Sequence, residues 1–111
     1  MSIDTGPFAF AKYLENARNH GVKDALFSAS KKSSPPNLRS HDGLNSDESV
    51  LVSRNEVDAF VFGEAGEEKF KALTKEGKGI EFTVQIDSDD LRASAEPMFP
   101  EGCYMVAVRL Q

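Results

Sequence analysis

The chain has 111 residues, 40% hydrophobic and 28% charged, with a formal charge of −5 and a pI near 5.0. That is the size and balance of one domain, 1–111, which can bury a single core without cross-links. The acidic balance argues against nonspecific binding to nucleic acid or anionic membrane. One cysteine excludes an internal disulfide, and no apolar run approaches the ~20 residues of a membrane-spanning helix.

The first predicted element is a helix opened by Gly6-Pro7, where a proline loses no needed N–H. Phe10, Tyr13, Leu14 and Ala17 share one apolar face, and Gly21 stops the helix behind His20. His20 at that end interacts favourably with the helix dipole. Val22 to Ser30, with Ala25-Leu26-Phe27 at its centre, reads as a strand. Its Ser28-Ala29-Ser30-Lys31 matches the S-x-x-K of serine acyl-enzymes, but the companion motifs are missing.

Residues 31–49 read as one long polar loop. Pro35-Pro36 forbids helix, and His41-Asp42-Gly43 signals a turn. Val50-Leu51-Val52 is expected as a short strand. Ser53-Arg54-Asn55-Glu56 is a capping box, with Val52 and Val57 placed as a hydrophobic staple. The helix it opens carries Val57, Phe60 and Val61 inward, to an end or break at Gly63. Glu67 and Glu68 open a second helix that stops at Gly77.

Ile80, Phe82, Val84 and Ile86 alternate with polar residues, which marks a strand with one buried face. Ser88-Asp89-Asp90-Leu91 is read as a capped helical turn and Pro97 to Gly102 as a turn. The last strand, Tyr104 to Leu110, is apolar on both sides and is expected at the centre of the sheet, covered on both faces. Cys103 beside it is expected as a buried small hydrophobe. The whole reads as α+β: a small mixed or antiparallel sheet of three to four strands, with an N-terminal helix and a central helical pair packed mainly on one face.

No phosphate-cradling glycine loop, zinc spacing or dinucleotide fingerprint occurs, and no cofactor or metal is expected. The acids Asp87, Asp89 and Asp90 do not follow a calcium-loop pattern. Arg39, His41 and Asp42 are the minority catalytic candidates, with His41 as the proton-transfer group and Arg39 as the anion binder. A small enzyme or ligand-binding domain using Arg39 and His41 under the 31–49 loop is the alternative function. Residues 1–39 carry a net charge of +3 and residues 40–111 a net −8.

The leading expectation is therefore an acidic cytoplasmic protein–protein interaction module: a regulator, an inhibitor, an immunity-type protein or a phage or bacterial accessory protein. Its acidic set, Glu64, Glu67, Glu68, Asp87, Asp89 and Asp90, would meet a basic surface on another protein. Nucleic-acid and membrane partners are not expected, and a homodimer is open. No signal peptide is read at the N-terminus. The run from Leu38 to Phe60 loosely resembles a short actinobacterial domain of unknown function found beside helix-turn-helix regulators. In that family a strand leads into a Ser-capped turn and a short helix. Its usual tryptophan is Val57 here and its Ser-, Gly- and Cys-rich front half is missing, so no assignment rests on the resemblance.

Overall fold

The computed structural model describes residues 8–100 and 102–111, so the expected helix start at Gly6-Pro7 lies outside the described residues. Helix α1 runs Phe10–Asn19 and buries Phe10, Leu14 and Ala17. Those residues recur at helical spacing, and fully burying an apolar side chain of this size contributes roughly 1.5–3 kcal/mol. The His20 ring closes the helix, with Nδ1 2.8 Å from the Asn16 carbonyl. The strands are β1 Asp24–Ala29, β2 Asn37–Ser40 and β3 Gly43–Ser46. Helices α2 Arg54–Ala65 and α3 Glu67–Thr74 follow, then β4 Ile80–Ile86, β5 Asp89–Met98 and β6 Cys103–Arg109.

The six strands form one sheet in the order β3-β2-β1-β6-β5-β4, with every neighbouring pair antiparallel. This corrects the expected three to four strands; the α+β class holds. Two stretches account for the difference. The polar segment 31–49 is not a loop but a hairpin: β2 and β3 meet at a His41-Asp42 turn and extend the sheet edge beside β1. Cross-strand backbone pairing stabilises it even though every β3 residue is exposed. Residues 88–91 are not a helical turn. Asp87-Ser88 is a two-residue hairpin turn with Asp87 at φ 57°, and Asp89 already pairs with Ile86. Val50–Val52 is not a strand either, since only Val52 makes a single bridge, to Ser34.

The capping box forms as its residues dictate. Glu56 N–H donates to the Ser53 hydroxyl at 3.2 Å, and Ser53 N–H donates to the Glu56 carboxylate at 2.9 Å. Gly63 lies inside α2; the break falls at Gly66, whose φ of 95° and ψ of 163° suit glycine almost alone.

All three helices cover the same face of the sheet. Facing them are Ala25 and Phe27 of β1, Val106 and Val108 of β6, Ala93 and Ala95 of β5, and the alternating apolar side of β4. Phe10 stacks on Phe60 at 4.2 Å between ring centroids and meets Phe27 edge-on at 5.0 Å, joining α1, α2 and β1. Strand β6 is central, between β1 and β5. Of the cover expected on both of its faces, the described residues supply one: Tyr104, Val106 and Val108 are buried under the helices, while Met105 and Ala107 on the opposite face are half-buried. Cys103 is buried. Among the described residues no helix is long and apolar enough to cross a membrane.

Candidate functional site

The candidate catalytic residues fall at the sheet edge. Arg39 lies on β2 and pairs with Asp24 of β1, Nε to Oδ2 at 3.4 Å. His41 and Asp42 form the exposed β2–β3 turn. None of the three surface depressions described below is lined by Arg39, His41 or Asp42. Arg39, His41 and Asp42 are all exposed among the described residues.

The acidic set is spread over three places. Asp87 and Asp89 face α1, where Arg18 reaches both, at 3.7 and 3.1 Å. Glu15 stands beside Asp87, and a hydrogen bond shared with Asp87, together with charge repulsion, holds its carboxyl above the usual range. Asp90 follows Asp89 in β5 and so points to the opposite face of the sheet. Glu64, Glu67 and Glu68 are exposed at the α2–α3 corner and make no ion pair among the described residues.

Several carboxylates have structural duties. Hydroxyl groups of Ser49 and Tyr13 donate to Asp47 and hold its carboxyl below the usual range. The Tyr13 phenol is pushed up by burial and by that same carboxylate. The Ser53 backbone and hydroxyl and the Phe8 backbone N–H hold Glu56 low. Burial and the hydrogen bond to Asp58 push the Tyr104 phenol up. Among the described residues no group of three or more His, Cys, Asp or Glu side chains converges as a metal site.

Among the described residues, the face of the sheet opposite the helices carries no covering element. Register places two rows across it. The first runs Leu44, Arg39, Asp24, Arg109, Arg92, Thr83 from β3 to β4. The second, beside it, runs Ser46, Asn37, Leu26, Ala107, Ser94, Glu81. Asp24 is held between Arg39 at 3.4 Å and Arg109 at 4.0 Å, while Arg92 makes no ion pair among the described residues. Thr83, Ser94 and Ala107 are small, so they floor a shallow depression of about 630 Å³. Arg92 and Arg109 line it, and Lys69 reaches its rim, donating to the Glu81 carbonyl at 2.6 Å on the outer edge of β4. Two smaller depressions lie along β4 beside Phe60, about 260 Å³, and along the outer side of α1, about 390 Å³.

Sequence reasoning missed the arginine row because Arg39, Arg92 and Arg109 are far apart in the chain and β5 was not read as a strand. One signal was available: alternating charges on strands that must pair, Asp24 against arginines, favour cross-strand neighbours.

No protein-family model matches the sequence, and no curated protein sequence matches it. Solved structures do match the fold. The Legionella pneumophila ATPase DotB superposes with a TM-score of 0.73 at 14% identity, covering 98% of this chain and 31% of its own. The pilus retraction motor PilT, solved with bound ADP, superposes with a TM-score of 0.70 at 15% identity, covering 92% of this chain and 29% of its own. The chain spans under a third of either neighbour, and at these identities the likeness is one of fold.

Proposed function

We propose that this chain is a non-catalytic protein-docking module of the cytoplasm that acts by binding a partner protein through the uncovered face of its sheet. The observation that carries this reading is the one-sided helical cover. Leu26, Met105 and Ala107 sit half-buried at the centre of the sheet, with no helix over them among the described residues. A central strand with apolar residues on both sides is stabilised further when its second face leaves water. Two further points support the reading. Two structures that share the fold are an ATPase and a pilus retraction motor, in which it accounts for under a third of the chain. The present sequence has no phosphate-cradling glycine loop of its own.

A second reading keeps docking but moves it. Glu64, Glu67 and Glu68, exposed and unpaired among the described residues at the α2–α3 corner, would receive a partner with a basic surface. One experiment separates the two. Affinity capture from the source cell uses the unaltered chain, an Ala107→Trp variant and a triple Glu64→Lys, Glu67→Lys, Glu68→Lys variant. The sheet-face reading expects Ala107→Trp alone to lose the partner. Loss only with the triple variant moves the site to the acidic corner, and retention by both variants removes both surfaces.

A further inference from the structure

We infer that the outer edge of β4 takes an extended basic peptide strand, whose backbone pairs with β4 and whose lysine or arginine side chain enters the slot beside Phe60. The site lies apart from the sheet face proposed above for docking and does not depend on it. Strand β4 ends the sheet, with β5 on one side and no strand on the other among the described residues. The two-residue turn that follows sets Ile86 opposite Asp89 as the closing hydrogen-bonded pair. Backbone pairing alternates along a strand, so Val84 and Phe82 also direct their N–H and C=O groups at β5, while Glu81, Thr83 and Gln85 direct theirs outward. The Lys69 ammonium agrees with this, since it donates to the Glu81 carbonyl at 2.6 Å from outside the sheet. The backbone groups of Thr83 and Gln85 have no hydrogen-bond partner among the described residues. Such a row is a template for one more strand.

The slot of about 260 Å³ opens at this same edge. Val84 faces the helices and Gln85 faces away from them, yet both line it, so the slot reaches the margin of the sheet. Phe10 of α1 and Phe60 of α2 form its aromatic wall. Two carboxylates line it, Glu56 and Glu64, and no lysine or arginine does. Glu64 makes no ion pair among the described residues. An added strand turns every second side chain to the helix side of the sheet, over the slot. A side chain with an apolar stem and a cationic end matches both parts of the lining: the stem lies against the rings and the charge meets the carboxylates.

Other occupants fit less well. A second copy that paired its own β4 about a two-fold axis at Thr83 would find the Glu81 carbonyl taken by Lys69 at both ends of the join. Its helix-side residues Phe82 and Val84 are already buried in its own core, and β4 holds no base to offer the slot. An acidic strand would meet Glu56 and Glu64 with like charge. The opposite edge of the sheet, β3, is four residues long and lines none of the three depressions.

The test is an NMR titration of the full chain, labelled with ¹⁵N, with the acetylated and amidated pentapeptide Thr-Val-Arg-Val-Thr. With its arginine opposite Val84, its valines sit opposite Thr83 and Gln85 and exchange hydrogen bonds with them. The expected result is a set of shifts centred on Phe60, Glu64, Thr83 and Gln85, with slower amide exchange at Thr83 and Gln85. A control peptide with glutamate for the arginine is expected to bind about fivefold more weakly, and Glu64→Gln to weaken the arginine peptide about threefold, as the loss of an exposed ion pair implies. A second control, with proline for one valine, lacks a paired N–H and is expected to lose binding. Shifts confined to other residues, no shifts, or undiminished binding of either control would overturn the inference. Protection of Thr83 and Gln85 by raised protein concentration alone would also overturn it, since the edge would then belong to a second copy.

Discussion

The Tyr104 hydroxyl donates to the Asp58 carboxylate at 2.6 Å, tying the central strand of the sheet to helix α2. Asp58 is also reached by Arg54, Nε to Oδ2 at 3.4 Å, and Arg54 in turn donates to the Gly102 carbonyl in the β5–β6 turn. Tyr104 is 1% exposed, while the Asp58 side chain keeps 29% of its surface in contact with water, so the bond is part-buried. Tyr104→Phe keeps the ring and removes only the donor. It is expected to cost about 1.5 kcal/mol, the ordinary net worth of a hydrogen bond to a charged group. Urea unfolding followed by circular dichroism reads this as a lower midpoint at unchanged slope. An unchanged midpoint would mean that the bond adds nothing to the folded state.

The capping box sets a second expectation. Ser53→Ala removes the acceptor for Glu56 N–H and is expected to cost about 1 kcal/mol. Its partner, Glu56, titrates below its ordinary range in the folded chain. A lowered carboxylate contributes stability that is full above the unfolded value and is lost as pH falls through the folded one. Glu56→Gln should therefore be less stable than the unaltered chain at neutral pH, with the gap closing below about pH 4. Asp47, lowered by Ser49 and Tyr13, has the same sign. A gap that widens in acid would reverse the assignment.

Leu14 and Leu51 give a matched contrast. Leu14 is 0% exposed on α1, whereas Leu51 is 66% exposed before α2. Leu14→Ala should cost about 3 kcal/mol through lost burial and the cavity left behind. Leu51→Ala should stay within about 0.5 kcal/mol. Equal melting temperatures for the two variants would contradict the placement of α1 against the sheet.

Gly66 joins α2 to α3 in a backbone conformation that side chains disfavour. A Cβ there would meet no neighbour within 4 Å, so the cost of Gly66→Ala is strain alone, about 1–3 kcal/mol. Gly63, within α2 and also free of neighbours, should instead gain about 1 kcal/mol on substitution by alanine. Thermal unfolding of the two variants should move in opposite directions.

These pairs also show what was legible in the sequence. The Ser53–Glu56 box, the α1 face and the alternation of β4 are local patterns whose periods match their structures, and each formed where it was read. Strands β2, β3 and β5 were missed because they are solvated on one face or both. Their residues, Asn37 to Ser46 and Asp89 to Met98, carry the Ser, Asn, Asp, Glu and Pro usual in loops. Pairing with a neighbouring strand, not side-chain burial, holds them in place. The arginine row was missed for the same reason: the cross-strand charge signal at Asp24 acquires partners only once the register sets Asp24 opposite both Arg39 and Arg109. The acidic set, prominent as composition, is divided by strand alternation at Asp89 and Asp90.

The most direct test of docking on the uncovered face is oxidative footprinting of the chain with and without its captured partner, read by mass spectrometry. Met105 reports the sheet face, and Phe99, 96% exposed at the β5–β6 turn, reports the end of the molecule nearest α2. Docking on the sheet predicts that Met105 and Leu26 are protected while Phe99 is oxidised as before. Protection of Phe99 with Met105 unchanged would contradict it.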